Sequence, residues 1–505
     1  MNSATSLRRL RRADSAFGHR VAAAVSWEVL GRFLDRTFTI GRTVILARLL
    51  TPVDFGLMAL ALVVVGLAQS LSTTGFRQAL IQRRDDIDEY LDTAWVAGIV
   101  RGVVLAALVA LMAPLAGGIF GEPRLVPIIR VVAALFLIDA LSNIGTVYFR
   151  RNLDFRRRFL LQLGETMATF AVGVGVALVT HSVWALVFGV LAGHTARVVL
   201  SYWVHSYKPH LRFEWSKAVE MWKFGRWVLT TGVVSEVARE ADKLIIGKLL
   251  GPASLGIYEV GNRLSRIGSR DVGNVTGEVG FPTFSRLQER ASELKGAYLR
   301  SVSLISGIVF PIATGFSLLA APITLVVLGQ QWVEVVTVLP PLAIASAVST
   351  SSRPAGVLFM GVGRPAIGAQ VALVRGIVIV ALLLMVTPRF GIPGAGWAVL
   401  GTALMIAPLM AWHVRRLAGA PLVRQLVAIA PGLVLSVPIG LACALALRVL
   451  EGHAWAQILV AGAAGGAGYV LVAAALWRFF RTGPFGALKG VVSRGSGATA
   501  QLADS

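Results

Sequence analysis

The chain has 505 residues, of which 56% are hydrophobic and only 15% charged, and it carries a net charge of +22. A soluble protein needs about 25% charged residues to solvate its surface, so a large soluble enzyme is excluded. Nucleic-acid binding, a common reading of such positive charge, is set aside because the basic residues sit where membrane topology wants them.

The apolar residues fall into runs of roughly 20, the length a helix needs to cross about 30 Å of hydrocarbon. The N-terminus carries Arg8, Arg9, Arg11, Arg12 and Arg20, with no small-residue cleavage site after a short apolar stretch, so it reads as a cytoplasmic tail rather than a signal peptide. About fourteen spans follow: 21–46, 55–80, 93–120, 125–149, 159–179, 183–205, 220–248, 255–282, 298–328, 333–360, 367–387, 393–414, 425–449 and 454–480. The expected fold is an all-α membrane protein of two six-helix lobes plus two extra helices. The N-lobe is 1–205 (helices 1–6, basic tail 1–20), the C-lobe is 206–418 (helices 7–12), and helices 13–14 occupy 419–482. The Gly-, Ser- and Ala-rich segment 483–505 is expected to be a disordered cytoplasmic tail.

Loop charge sets the orientation. With the N-terminus inside, the cytoplasmic segments hold Arg83, Arg84, Arg150, Arg151, Arg156 to Arg158, Lys217, Arg290, Lys295, Arg415 and Arg416, among others. The outside segments hold only Arg48, Arg124, Lys248, Arg389 and Arg448. The positive-inside rule therefore places both termini in the cytoplasm.

An internal duplication is visible. Ile45, Leu49, Leu50, Pro52 and Gly56 recur 200 positions later as Ile245, Leu249, Leu250, Pro252 and Gly256, and Ala113, Pro114 and Gly121 recur 208 positions later as Ala321, Pro322 and Gly329. Six spans separate the copies, which makes them parallel repeats about an axis along the membrane normal.

Charges inside hydrophobic spans cost at least about 2.5 kcal/mol each on insertion scales, yet they concentrate in three helices. The first span has Glu28, Arg32, Asp35, Arg36 and Arg42; the seventh has Glu236, Arg239, Glu240, Asp242 and Lys243. In the eighth, Glu259, Arg263, Arg266 and Arg270 stand at i, i+4, i+7 and i+11, one stripe down one helical face. Structural ion pairs between helices, or snorkelling from helix ends, would account for isolated members such as Arg226, Glu278 and Arg42. Neither explains why three helices near the start of each repeat should all be polar. A water-filled cavity with cationic walls between the halves is the expectation, and guanidinium forks suit phosphate oxygens. Arg101, Arg130, Asp139, Glu165, Arg197, Arg353 and Arg375 are isolated charges in other spans and fit ordinary interhelical pairing, with Arg375 the exception, about midway along an otherwise apolar span.

Catalytic signatures are absent. There is no phosphate loop of the Walker type, no HExxH and no cysteine-rich metal spacing. Cys443 is the single cysteine, and the seven histidines are dispersed, mostly near span ends, where interfacial roles are expected. Gly391, Gly394, Gly396 and Gly401 follow no soluble strand and read as helix packing rather than a dinucleotide site.

The segment Ala47-Arg-Leu-Leu-Thr-Pro-Val-Asp-Phe-Gly56, continued to Gly75-Phe-Arg-Gln-Ala-Leu-Ile-Gln-Arg83, resembles the opening of polysaccharide export proteins of the MOP superfamily. So does Ala241-Asp-Lys-Leu-Ile-Ile-Gly247 with Leu250-Gly-Pro-Ala-Ser-Leu-Gly-Ile-Tyr258 and Asn262-Arg-Leu264. The likeness is to the Wzx-type flippases of the lipopolysaccharide and colanic-acid exporter branch, over roughly residues 20–480. It implies a V-shaped, MATE-like fold with a cavity lined by the first, second, seventh and eighth helices, in the bacterial inner membrane. It also implies transport of an undecaprenyl-diphosphate-linked repeat unit to the periplasmic leaflet, without enzymatic chemistry.

On that basis Arg32, Arg36, Arg239, Lys243, Arg263, Arg266 and Arg270 are the expected cavity cations that bind substrate. Asp35, Glu236, Glu240 and Glu259 are the expected gating and charge-pairing acids. No cofactor or metal is expected; coupling to a proton or sodium ion is allowed, at no assigned site. The partners are the lipid-linked oligosaccharide and membrane lipids, with a polysaccharide polymerase and co-polymerase as further candidates and no nucleic acid. The alternatives are a peptidoglycan lipid-precursor flippase, a MATE-type multidrug exporter and, at a distance, a membrane polymerase or ligase.

Overall fold

A computed structural model describes residues 31, 34–72, 80, 87–151 and 154–480. The basic tail 1–20, Glu28, Arg32, most of the 75–83 motif, Arg84 and the tail 483–505 lie outside the described residues. All regular structure among the described residues is helical. Ten helical segments there are long and apolar enough to cross a bilayer. The chain divides into two compact units, residues 1–236 and 237–505.

In unit 1, α1 (34–49) runs into α2 (Pro52–Leu71) through a reciprocal cap: the Asp54 N–H donates to Thr51 Oγ1, and the Thr51 N–H donates to Asp54 Oδ2 at 2.9 Å. Pro52 suits the first helical turn, where its missing N–H has no partner to lose. The helices α3 (Asp88–Phe120), α4 (Leu125–Val132), α5 (Ala134–Ala140), α6 (Val147–Arg151), α7 (Phe155–Thr180) and α8 (Trp184–Val204) follow. In hydrocarbon, burying apolar surface gives little drive for helices to associate, so close backbone approach and polar links hold them. The α7–α8 pair shows the first device: a Cβ on Gly193 would lie 2.0 Å from Thr169 Oγ1 and 2.9 Å from the Glu165 carbonyl oxygen. The segment after α8 shows the second. Tyr207 Oη and the His210 N–H both donate to Asp92 Oδ1, at 2.5 and 2.8 Å, and clasp 205–214 to the start of α3.

Between the units' sequences runs α9 (Trp215–Ser265), which breaks at Gly251. In an unbroken helix, residues 16 apart would be separated by about 24 Å. Instead Tyr258 Oη lies 2.5 Å from Asp242 Oδ2, so 252–265 folds back against 237–250. Gly251 makes this turn at φ 80, ψ 179, a conformation that essentially only glycine adopts without strain. Eight consecutive residues of the second arm, Leu255 to Asn262, are buried.

The helix does not continue through the eighth predicted span. It ends at Ser265, and α10 (Ser269–Arg286) starts afresh after Gly268 at φ 83. The expected single stripe from Glu259 to Arg270 is therefore interrupted between Arg266 and Arg270, because a left-handed residue resets the helical register.

The rest of unit 2 comprises α11 (Ala291–Leu318), α12 (Val335–Ser351), α13 (Arg353–Gly361), α14 (Pro365–Ala418), α15 (Leu422–Val449) and α16 (Ala454–Phe480). The 54-residue α14 breaks at Gly391, and a Cβ on Gly401 would lie 3.4 Å from Leu382 Cδ1, so it too folds back into two arms. Phe284, Leu294, Tyr298, Leu358, Phe359 and Val414 form one buried cluster that ties α10, α11, α13 and α14 together.

Candidate functional site

The two arms of α9 carry most of the charges singled out in the sequence, and the fold-back at Gly251 pairs them. Lys243 on the first arm reaches Glu240 at 2.9 Å and Glu259 on the second arm at 3.5 Å. Glu259 in turn accepts from Arg263 Nε at 2.9 Å. The result is a chain, Glu240–Lys243–Glu259–Arg263, crossing the hairpin.

Glu259 is the pivot. It is 8% exposed, and Lys243, Arg263 and Arg266 all lie within electrostatic reach of it. A buried carboxylate survives in a span only if such partners surround it. Its Oε2 has the Lys243 ammonium at ion-pair distance but no hydrogen bond of good geometry. One oxygen at the centre of the network is thus held by charge alone. Asp242, next to Lys243, is satisfied separately: Tyr258 Oη donates to Oδ2 at 2.5 Å and the Lys243 N–H donates to Oδ1 at 2.9 Å. Tyr258 is itself 1% exposed.

A second group of charges gathers at the helix break. Arg266 donates through Nε to Asn262 Oδ1 at 3.0 Å rather than to an acid. Arg270 leaves the first turn of α10. From α13, Arg353 lies across Gly273 of α10, where a Cβ would sit 2.1 Å from its Nη1. The Arg353 guanidinium is within electrostatic reach of both Arg266 and Arg270. All three are exposed, and among the described residues none has a carboxylate in contact. Like charges brought together with no carboxylate in contact repel, the reach of Glu259 to Arg266 offsetting only part of this, and an anion between them removes the repulsion. Three guanidinium forks supply enough parallel donors for several phosphate oxygens.

The other expected site residues are placed as follows. Arg239 is 65% exposed and sits 4.0 Å from Glu240. In unit 1, Asp35 accepts from the Thr166 hydroxyl at 2.6 Å, Arg36 is half-buried one residue on, and Glu236 lies against Gly66 of α2. Arg32 is outside the described residues. Arg353 stood alone in its span in the sequence, and nothing local marked it, because it meets Arg266 and Arg270 only through the packing of α13 on α10. Asn262 and Tyr258 belong to the 241–264 motif and have defined tasks, as acceptor for Arg266 and donor to Asp242.

The sequence profile of a family described as polysaccharide biosynthesis protein matches residues 45–337, which include both arms of α9, the helix break and α10. The lipopolysaccharide biosynthesis protein WzxC of Escherichia coli (strain K12) is 22% identical over 347 residues, covering 68% of this chain and 70% of its own. The succinoglycan biosynthesis transport protein ExoT of Rhizobium meliloti (strain 1021) is 24% identical over 358 residues, covering 71% and 72%. Among solved structures, the lipid II flippase MurJ in an inward closed conformation matches with a TM-score of 0.70 at 12% identity, over 89% of this chain and 98% of that one. At that identity the likeness is one of fold.

Proposed function

Since the chain belongs to the polysaccharide biosynthesis protein family, we propose that it is a flippase for an undecaprenyl-diphosphate-linked oligosaccharide. The substrate moves from the cytoplasmic to the periplasmic leaflet by alternating access, for synthesis of a surface polysaccharide such as O-antigen, exopolysaccharide or capsule. It is a multi-pass membrane transporter, not an enzyme. The inner membrane is its place, with both termini cytoplasmic, and a polymerase and co-polymerase are its natural neighbours. Segments 1–205 and 206–418 act as the two moving lobes, with helices 13–14 (419–482) as an addition.

The observation that carries this reading is the trio Arg266, Arg270 and Arg353 around the break at Gly268, cationic and with no carboxylate in contact among the described residues. A diphosphate is the group that such a trio fits, while its sugar needs water and its polyprenyl tail stays in lipid. An inside-negative potential favours the outward step by about 2.3 kcal/mol per negative charge per 100 mV. Glu240 and Glu259, already bonded to Lys243 and Arg263, supply the carboxylates that can re-pair with the arginines on release. A cationic drug would meet repulsion at this trio, which disfavours a multidrug exporter. A peptidoglycan lipid precursor carries the same diphosphate, and the MurJ fold keeps it as the second reading.

The test measures membrane abundance and surface polysaccharide together in a host that depends on this chain. Arg266→Gln and Arg270→Gln should keep the protein abundant and cut export by about tenfold or more, the worth of one lost charged hydrogen bond. Lysine at either position should restore part of the export, since an ammonium keeps charge but not the fork. Full export in both glutamine variants would overturn the reading.

A further inference from the structure

Five ionisable groups that stand one or two to a helix gather in unit 1, away from the arginine trio: Arg101 on α3, Asp139 on α5, Glu165 on α7, and His194 and Arg197 on α8. The tight α7–α8 approach at Gly193 brings Arg197 within 3.4 Å of Glu165. The packing of α5 on α8 sets Asp139 Oδ1 2.7 Å from His194 Nδ1. Arg101 donates to Ser72 Oγ at 3.3 Å and lies within electrostatic reach of Asp139. The other elements against α8 add little charge: α2 carries only Asp54, bound to Thr51, and α4 only Arg130, which is exposed. On α7, Thr166 beside Glu165 donates to Asp35 of α1, and Arg156 to Arg158 stand at the helix start, two turns or more before Glu165.

The charge count makes the imidazole decisive. Arg101 and Arg197 balance Asp139 and Glu165, so the cluster is neutral with a neutral His194 and carries one positive charge with a protonated one. His194 is the eleventh of 21 residues in α8, about 15 Å from either helix end. It is therefore not an interfacial histidine. With Asp139 ionised, Nδ1–H donates to the carboxylate, and Nε2, which has no hydrogen bond among the described residues, keeps its lone pair. Histidine is the side chain whose charge changes nearest physiological pH.

We propose that His194, oriented by Asp139, is a proton-binding site inside unit 1 whose occupancy couples the proton gradient to transport. The inference rests on the flippase reading for its consequence but not for its chemistry. A proton from one aqueous side bonds to Nε2, the cluster becomes cationic, and the same proton leaves from Nε2 to the other side in the alternate state. No electrons move and no other bond changes. Asp139 and Glu165 hold the imidazolium in the loaded state; Arg197 and Arg101 limit its stability, so that release remains accessible.

Two measurements on the full chain decide this. In nanodiscs, 15N-histidine spectra identify His194 by the signal missing from His194→Gln. That signal should titrate between pH 5 and 8, and Asp139→Asn should lower its midpoint by about one unit or more, the effect of removing an adjacent counter-charge. In proteoliposomes, flipping of a fluorescent short-chain polyprenyl-diphosphate glycoside should speed up at least threefold under an imposed pH gradient. His194→Gln and Asp139→Asn should lose that acceleration. A His194 signal that does not titrate, or one indifferent to Asp139→Asn, overturns the site. A wild-type rate indifferent to the gradient overturns the coupling. A protein that flips no such probe defeats the flippase reading instead, while the titration still decides the proton site.

Discussion

Tyr258 donates its hydroxyl to Asp242 across a fold-back whose turn is Gly251, so two residues 16 apart in sequence close a hairpin inside a membrane domain. The burial of the Asp242 carboxylate is offset in part by a second donor, the Lys243 N–H. Tyr258→Phe leaves that carboxylate short of one donor and should lower stability by about 1–3 kcal/mol. Asp242→Asn should cost a similar amount, since an amide keeps one acceptor oxygen and turns its NH2 toward either Tyr258 or the Lys243 N–H. Thermal unfolding of both variants and of the double variant in detergent gives the coupling; additive losses would mean that the bond contributes nothing.

The Glu259–Arg263 contact distinguishes pairing from recognition. Arg263→Gln removes one of the cations around a buried carboxylate and should reduce membrane abundance. Because Arg263 is 41% exposed, the loss should fall below the 3–5 kcal/mol typical of a fully buried pair. Adding Glu259→Gln should restore abundance. If export returns with it, Arg263 serves the hairpin; if export stays lost, Arg263 also serves the substrate. Immunoblot and polysaccharide assay on both variants read the outcome.

Gly273→Ala places a methyl group where Arg353 Nη1 now lies. The guanidinium must leave its present place across α10, so export should fall several-fold. Abundance should hold or rise as like charges separate. Arg353→Gln should act in the same direction, and an unchanged export rate in both would remove Arg353 from the site.

His205, just beyond the end of α8, accepts the Tyr207 N–H through Nδ1 at 3.0 Å and stacks on Tyr148. Burial, and then the charge of Arg157, hold its pKa below the ordinary histidine value. A lowered folded-state pKa favours the neutral ring, so its contribution to stability is present above about pH 6.5 and is lost as pH falls through the lower folded value. The unfolding temperature should drop on acidification below about pH 6.5, and His205→Asn, which keeps an acceptor near the δ position, should flatten part of that slope. A slope unchanged in the variant would clear His205 of the effect.

The proposed orientation is tested with single cysteines in a Cys443→Ala background. Positions 156, 217 and 290 should resist a membrane-impermeant thiol reagent added from outside, and positions 124 and 389 should react. Labelling of 156 or 290 from outside would invert the orientation.

The features legible in the sequence were those that repeat or that break a local rule. The recurrence of Pro52 as Pro252 marked the repeat, and the acids and bases of 236–270 marked the seventh and eighth spans as unusually polar. The break at Gly268 was not legible, since a glycine in an apolar helix looks the same whether its φ is negative or positive. Arg353 and the Asp139–His194 pair were missed for another reason. Arg353 and Asp139 are the lone charges of their helices and His194 shares α8 only with Arg197, and their meeting is a long-range product of which glycine faces which neighbour. A periodic stripe was visible at 259–270, but its interruption was not, because periodicity assumes the helix it is used to infer.

The break at 266–268 bears on how this chain is made. The α10 segment, Ser269–Arg286, is absent from the segments apolar enough to cross a bilayer among the described residues, whereas the helices around it qualify. Its packing partner α13 lies about 70 residues downstream, a delay of several seconds at the roughly 5–20 residues per second of translation. During that interval a helix bearing Arg270, Asp271, Glu278 and Arg286 has α11 against it through Phe284, Leu294 and Tyr298 but not yet α13. Slowing synthesis between 286 and 353 should therefore harm assembly of this protein more than slowing it elsewhere.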